Sequence, residues 1–209
     1  MATLKLGAMS GQATTEARIL EVASRLFYER GYHATTVRAL AKVVGIKESS
    51  VYNHFADKQA ILVRLCLTSQ RDFLDGAVLS LEGVGDVRER LRTLVLWQVT
   101  LEAQHPYKAR VVDAQLDALN AVSRRQVIEL RDAYDDLLTS ILIDGNDQGC
   151  WRIDDPRVIC MGIIGMCNIN AWYRDTGSLT PEEIGERYAT FVLDALNASS
   201  RNSQRRTRR

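Results

Sequence analysis

Apolar residues recur along this chain at spacings of three and four, the rhythm of helices that each turn one face to a core. Ile19, Val22, Ala23, Leu26 and Phe27 form the first such stripe, with Thr14 or Thr15 able to cap its start and Gly31 to end it. A second, short helix is predicted from Thr35–Thr36 through Val37, Leu40, Ala41 and Val44, broken by Gly45. A third starts around Lys47 and reaches Phe55, with Val51 and Phe55 as its buried pair. Asp57 then caps a longer helix carrying Ile61, Leu62, Leu65 and Phe73.

The same spacing continues past Gly83 and Gly85. Leu91, Leu94, Val95 and Leu101 mark a helix that runs to His105, and Pro106 suits the first turn of the next, where its missing N–H is harmless. Val127, Leu130, Tyr134, Leu137, Leu138 and Ile141 mark another, ended by a loop over Asp144–Gly149. From Asp155 to Trp172 the chain is apolar nearly all round, which predicts burial on several sides. A last helix follows Thr180–Pro181, with Glu182 and Glu183 in its favourable first turn and Ile184, Tyr188, Phe191, Val192 and Ala195 as its stripe. No strand pattern and no internal repeat emerges, so the fold class is all-α.

Two short helices joined by a tight glycine turn, behind a longer supporting helix, outline a helix-turn-helix. Ala41 and Gly45 permit close approach at the turn, while Val37, Leu40, Val51 and Phe55 hold the helix pair. Lys47, Ser49, Ser50, Tyr52, Asn53 and His54 are left to face outward, and a face rich in hydroxyl, amide and aromatic groups is poorly explained by packing. The predicted organisation is a three-helix DNA-binding domain over 13–57, a larger helical ligand-binding and dimerisation domain over 58–198, and a basic disordered tail over 199–209.

Charge supports this division. Residues 1–70 carry nine Lys/Arg against five Asp/Glu, residues 71–200 carry thirteen against twenty-one, and 201–209 add five arginines. Basic ends around an acidic middle suit a first part that meets a polyanion and a second part with another task. The segment Met1 to Gln12 lacks the apolar stretch of a secretory signal, and no apolar run reaches the roughly 18–20 residues of a membrane helix, so a cytoplasmic location and no membrane partner are expected.

The residues Thr35-Thr-Val-Arg-Ala-Leu-Ala-Lys-Val-Val-Gly-Ile-Lys-Glu-Ser-Ser-Val-Tyr-Asn-His-Phe-Ala-Asp-Lys-Gln-Ala-Ile-Leu62, after an Ile-Leu-x-x-Ala-x-x-Leu-Phe-x-x-x-Gly-Tyr stretch, resemble the signature of TetR-family regulators over 19–62. The resemblance implies a repressor that binds double-stranded operator DNA as a homodimer. Thr36 would bind a phosphate at the start of the second helix, Lys47, Ser49 and Ser50 would enter the major groove, and Tyr52 and His54 would grip flanking phosphates, with Asn53 a further DNA-binding candidate on the same face. Lys58 would hold a further phosphate and link DNA contact to the second domain. Glu48 stands where many relatives carry lysine; it either accepts from a cytosine amino group or points away.

The acidic second domain is expected to hold a small-molecule effector. Its supply of pocket-forming residues includes Trp97, His105, Tyr107, Trp151, Met161, Met166, Cys167 and Trp172. The segment Trp172–Ile184 resembles the end of the ligand domain in TetR-type repressors of lipid and sterol catabolism, many of which respond to acyl-CoA thioesters. A CoA ligand would need cations at the pocket mouth, with Arg110, Arg124, Arg125 and Arg174 as candidates. Trp97, His105, Tyr107, Met161, Met166, Trp172 and Arg174 are therefore the expected ligand residues. Dimerisation is expected through the last two helices, about 155–173 and 180–197, with Ile163, Met166, Tyr188, Phe191 and Ala195 at the contact and Gly162 and Gly165 allowing close approach.

Other classes fit less well. There is no phosphate-binding glycine loop and no nucleophile beside a recognisable base, and His33, His54 and His105 are scattered, so neither an enzyme nor a cofactor is expected. Cys66, Cys150, Cys160 and Cys167 lack CxxC spacing, which argues against a metal site; Cys160 and Cys167, seven apart, suit either a redox switch or a reduced core. A protein that merely coats nucleic acid would not need the acidic middle. An activator of the same fold would bind DNA identically.

Overall fold

The computed structural model describes residues 14–104, 106–168 and 179–206, with 106–109 and 198–206 followed in the backbone alone. Among these residues the chain forms α1 (Thr15–Arg30), α2 (Val37–Val44), α3 (Glu48–Tyr52), α4 (Lys58–Ser80), α5 (Val87–Gln104), α6 (Pro106–Ala114), a 3-10 turn at Leu116–Ala118, α7 (Ala121–Asp147), α8 (Pro156–Cys167) and α9 (Pro181–Arg206), and no strand. The helices fall into two compact units, one ending at Leu65 and one beginning at Cys66. The division lies inside α4, later than the boundary before Lys58 that the sequence pattern suggests.

The first unit is built by caps and one special turn. Thr14 Oγ1 accepts the Ala17 N–H at 3.2 Å and starts α1, whose Ile19, Ala23, Leu26 and Phe27 are buried. Thr36 Oγ1 does the same for α2 through the Ala39 N–H at 3.1 Å. At the other end of α2, Gly45 adopts φ 79 and ψ 32, a left-handed conformation that side chains resist. The N–H groups of Gly45 and Ile46 both donate to Ala41 O at 3.0 Å, closing the helix and turning the chain toward α3.

Helix α3 ends at Tyr52 rather than reaching Phe55. His54 and Phe55 both donate their N–H to Val51 O at 3.0 Å, and this doubled bond tightens the chain out of the helix. Val51 and Phe55 are still both buried, as their spacing predicts. Asp57 Oδ1 then accepts the Ala60 N–H at 2.7 Å and opens α4, whose Ile61, Leu62 and Leu65 are buried.

In the second unit α9 lies along α5, and α8 packs on α7 and touches α5. The core joins Leu91, Leu94, Val95 and Val99 of α5 to Leu138, Ile141 and Leu142 of α7, Cys160 and Ile163 of α8, and Ala189 and Val192 of α9. Helix α7 continues to Asp147, past the point where the sequence suggests a loop. Gly145 sits within it because its bare backbone faces the buried Trp151 indole, which a Cβ there would overlap. The indole N–H donates to Leu142 O at 2.8 Å, and Asn146 exchanges two hydrogen bonds with the Ile153 backbone, at 2.8 and 3.0 Å. These bonds fold the 148–153 turn back onto the helix.

Helix α8 begins where Asp155 Oδ1 accepts the N–H groups of Arg157 and Val158, at 3.0 and 3.2 Å, and ends at Cys167; the expected continuation to Trp172 lies outside the described residues. Helix α9 opens with a reciprocal cap: Thr180 Oγ1 accepts the Glu183 N–H at 3.2 Å, and Glu183 Oε2 accepts the Thr180 N–H at 2.8 Å. It continues through Arg206, into the segment expected as a disordered tail from 199, since no proline or glycine interrupts it beyond Gly185. Among the described residues, no helix is long and apolar enough to cross a membrane.

The Gly145–Trp151 contact makes a prediction. Gly145→Ala should destabilise the protein by about 1–3 kcal/mol through overpacking. That corresponds to a melting temperature lowered by about 2–4 °C per kcal/mol for a chain of this size. An unchanged thermal melt would show that the indole does not occupy this space.

Candidate nucleic-acid interface

Helix α3 has only five residues, and Val51, fully buried, is its anchor to the unit. With that side chain turned inward, the rest of the segment turns out. Lys47 at the N-cap, Glu48, Ser49, Asn53 and His54 are exposed, Tyr52 is 50% exposed, and Ser50 is half-buried at the edge. Thr36, exposed at the start of α2, uses its hydroxyl oxygen on the Ala39 N–H and keeps its hydroxyl proton to donate. Glu48 lies in the first turn of α3, where the helix dipole favours a carboxylate. The arrangement is a shallow outward ridge of donors, an amide, an imidazole and a phenol.

Lys58, also expected at the DNA contact, is half-buried and tied to its own unit. Its Nζ donates to Tyr32 O at 2.7 Å, Thr35 O at 2.9 Å and His33 O at 3.2 Å, and lies 4.3 Å from the centroid of the Tyr32 ring. An ammonium has three N–H bonds, and in the free chain they face these three backbone carbonyls. Tyr32, the tyrosine of the Gly-Tyr stretch, is held at its other end by Gln59, whose Oε1 accepts the phenol proton at 2.9 Å. Burial first, and then the Asp57 carboxylate, raise the Tyr32 phenol above its ordinary value, so it remains a donor at neutral pH.

The second unit divides its candidate residues between inside and outside. Trp97 is half-buried, 4.8 Å ring to ring from Phe73, and leans on the bare backbone of Gly76. Met166 is half-buried against the core. Met161, expected in a pocket, is instead 70% exposed, because it shares the outer face of α8 with exposed Val158. Ile163, expected at the dimer contact, is 5% exposed, since it points into its own core. Phe191 is 62% exposed, Ala195 is exposed and Tyr188 is half-buried. Arg124 and Arg125, candidates for a pocket mouth, pair with Asp117 at 3.1 Å and Glu129 at 2.9 Å. His105, Trp172 and Arg174, and the side chain of Tyr107, lie outside the described residues.

A buried polar chain that the sequence reading missed runs through this core. Tyr134 donates its phenol proton to Gln98 Oε1 at 2.7 Å, and Gln98 Nε2 donates to Glu102 Oε1 at 3.1 Å. All three residues are buried, and Phe73 stacks edge-on against Tyr134 at 4.7 Å. Gln98 and Glu102 continue the Leu91, Leu94, Val95 stripe of α5 at helical spacing, so two polar residues on an apolar face were the available signal. Among the described residues, no group of three or more His, Cys, Asp or Glu is placed to hold a metal ion.

Comparison with known proteins places this geometry among bacterial regulators. Residues 19–65 match the model for bacterial regulatory proteins of the tetR family, and 84–196 match a tetracyclin repressor-like C-terminal domain. The chain is 30% identical over 198 residues to the HTH-type transcriptional repressor KstR2 of Mycobacterium tuberculosis, covering 90% of this chain and 96% of that one. A solved structure of the ketosteroid transcriptional regulator KstR2 from that organism superposes with a TM-score of 0.78 at 26% identity, covering 88% of this chain and 95% of the other. The fatty acid metabolism regulator protein of Bacillus subtilis is 25% identical over 132 residues, 63% of this chain and 68% of its own.

The cysteines yield a prediction. Burial pushes the Cys66 and Cys167 thiols up to about 12 and raises that of Cys160, whereas Cys150 is only half-buried. The thiolate is the reactive form, so this argues for a reduced core over a redox switch at Cys160 and Cys167. Brief alkylation of the folded protein at neutral pH should label Cys150 and spare the other three by mass spectrometry. Rapid labelling of Cys160 or Cys167 would restore the switch reading.

Proposed function

Because the chain belongs to the tetR family of bacterial regulatory proteins, we propose that it is a transcriptional repressor that binds a palindromic operator as a symmetric dimer and is released by a small apolar effector. The observation that carries this is the outward polar face of α3, held on a single buried anchor beside the exposed N-terminus of α2. Thr36 donates to a phosphate there, aided by the α2 N-terminus. Lys47, Ser49 and Ser50, with Asn53, read base edges in the major groove, and Tyr52 and His54 bind the flanking backbone. The relative that covers nearly the whole chain is named a repressor, which favours repression over activation.

The effector is assigned to the lipid or sterol class, with a CoA thioester as the form the C-terminal resemblance suggests. Two relatives are named for ketosteroids and for fatty acid metabolism. Trp97, Phe73 and Met166 pack half-buried against the core that holds the Tyr134–Gln98–Glu102 chain, and this mix of apolar side chains with few polar groups suits such a molecule. Release follows if the effector prefers a dimer whose two reading heads are mis-spaced for the operator.

Two experiments test the reading. Wild-type protein should prefer its own promoter region over scrambled DNA at physiological salt, and Lys47→Met and Ser50→Ala should each relax base preference, the first at a cost of about 1–3 kcal/mol. Operator should weaken effector binding by the same factor that effector weakens operator binding, measured calorimetrically. Equal affinity for both DNAs would refute sequence-specific repression, and unchanged effector affinity would refute allosteric release.

The dimer rests on the apolar residues that a single chain leaves uncovered. Val158 and Met161 of α8 and Phe191 of α9 are exposed, and Gly162 and Gly165 have open space where a partner helix can approach. Met161→Glu and Phe191→Glu should each give monomers by sedimentation and lose operator affinity. A wild-type monomer at micromolar concentration would overturn the assignment.

A further inference from the structure

The exposed ridge around α3 is a row of hydrogen-bonding groups in which one member has the wrong sign for a polyanion. The Lys47 ammonium can only donate, while Ser49, Ser50 and Asn53 can donate or accept. Glu48, between Lys47 and Ser49, can only accept, and it carries a negative charge. It is exposed, and among the described residues no hydrogen bond or ion pair ties its carboxylate down. The dipole of so short a helix is a weak reason to keep an acid where phosphates would repel it. A carboxylate on this ridge needs a donor to meet.

Resting on the operator-binding reading above, we propose that Glu48 is a specificity-determining residue: it selects a cytosine in each half-site by accepting a hydrogen bond from the base's amino group. Residues at the start of a recognition helix are the ones that reach base edges, and Glu48 is the first residue of α3. In the major groove an amino donor is offered by cytosine at N4 and by adenine at N6. Adenine sets its N7 acceptor beside that donor, while guanine and thymine present only acceptors, and an acceptor repels a carboxylate. Cytosine alone presents a donor without an acceptor. The same negative charge weakens every register that brings it to a phosphate or to the wrong base edge. Discrimination therefore comes from repulsion at wrong sites as well as attraction at the right one.

The experiment selects binding sequences from a randomised DNA library at physiological salt, with the full-length wild type, Glu48→Gln and Glu48→Ala in parallel. Wild type should enrich a palindrome with cytosine at one position of each half-site, preferred about tenfold over the other bases. Glu48→Ala should lose the preference at that position and keep it elsewhere. Glu48→Gln has nearly the same shape but donates as well as accepts, so preference there should move from cytosine toward adenine. A sequence preference identical to wild type at every position in both variants would overturn the proposal and leave the repressor reading standing. So would a change confined to a position where wild type prefers a base other than cytosine. No enriched sequence for wild type would remove the repressor reading and this proposal with it.

Discussion

A five-residue helix has no stability of its own in water, because nucleation fixes several residues before any hydrogen bond repays the loss. Helix α3 is such a helix, yet it carries most of the exposed groups of the candidate interface. Everything around it therefore works as scaffold. Val51 anchors it, Phe55 returns to the core behind it, and the left-handed Gly45 sets its direction of entry. Arg18 of α1 adds a further tie by donating to Val44 O at 2.8 Å, which satisfies a carbonyl in the last turn of α2. The geometry of this exposed face is thus borrowed from α1, α2 and the first turns of α4.

The second unit obeys a different constraint. Its α5 is wrapped by other helices and buries Gln98 and Glu102 among aliphatic side chains. Buried polar groups are costly unless they find partners, so this chain of bonds to Tyr134 fixes how α5 and α7 face each other more narrowly than aliphatic contact alone. Burial also keeps the Tyr134 phenol protonated, with its ordinary value raised well upward, so it stays a donor to Gln98.

What was legible in the sequence follows from how local each cause is. Caps at Thr14, Thr36, Asp57 and Thr180 and the break at Gly45 are written within three or four residues of where they act, and the structure places helix ends there. The end of α7 was misjudged because Gly145 looks like a breaker, while its role is set by Trp151 approaching across a turn. Ile163 and Met161 were interchanged for the same kind of reason: in a helix apolar on all sides, periodicity cannot say which face its own chain covers. The partners of Lys58 were not legible, because they lie more than twenty residues earlier, on backbone carbonyls that no side-chain pattern reveals.

The position of the unit boundary has a consequence for anyone who would cut or splice this chain. The N-terminal unit does not stop where its third helix stops; it closes with Ile61, Leu62 and Leu65, which are buried and lie within α4. A fragment ending ahead of Lys58 would lose those three apolar side chains, the Asp57 cap's purpose and the cation under the 31–35 turn together. Grafting this head onto another helical body therefore requires a seam in the middle of a helix, beyond Leu65, with the register of α4 kept continuous across it.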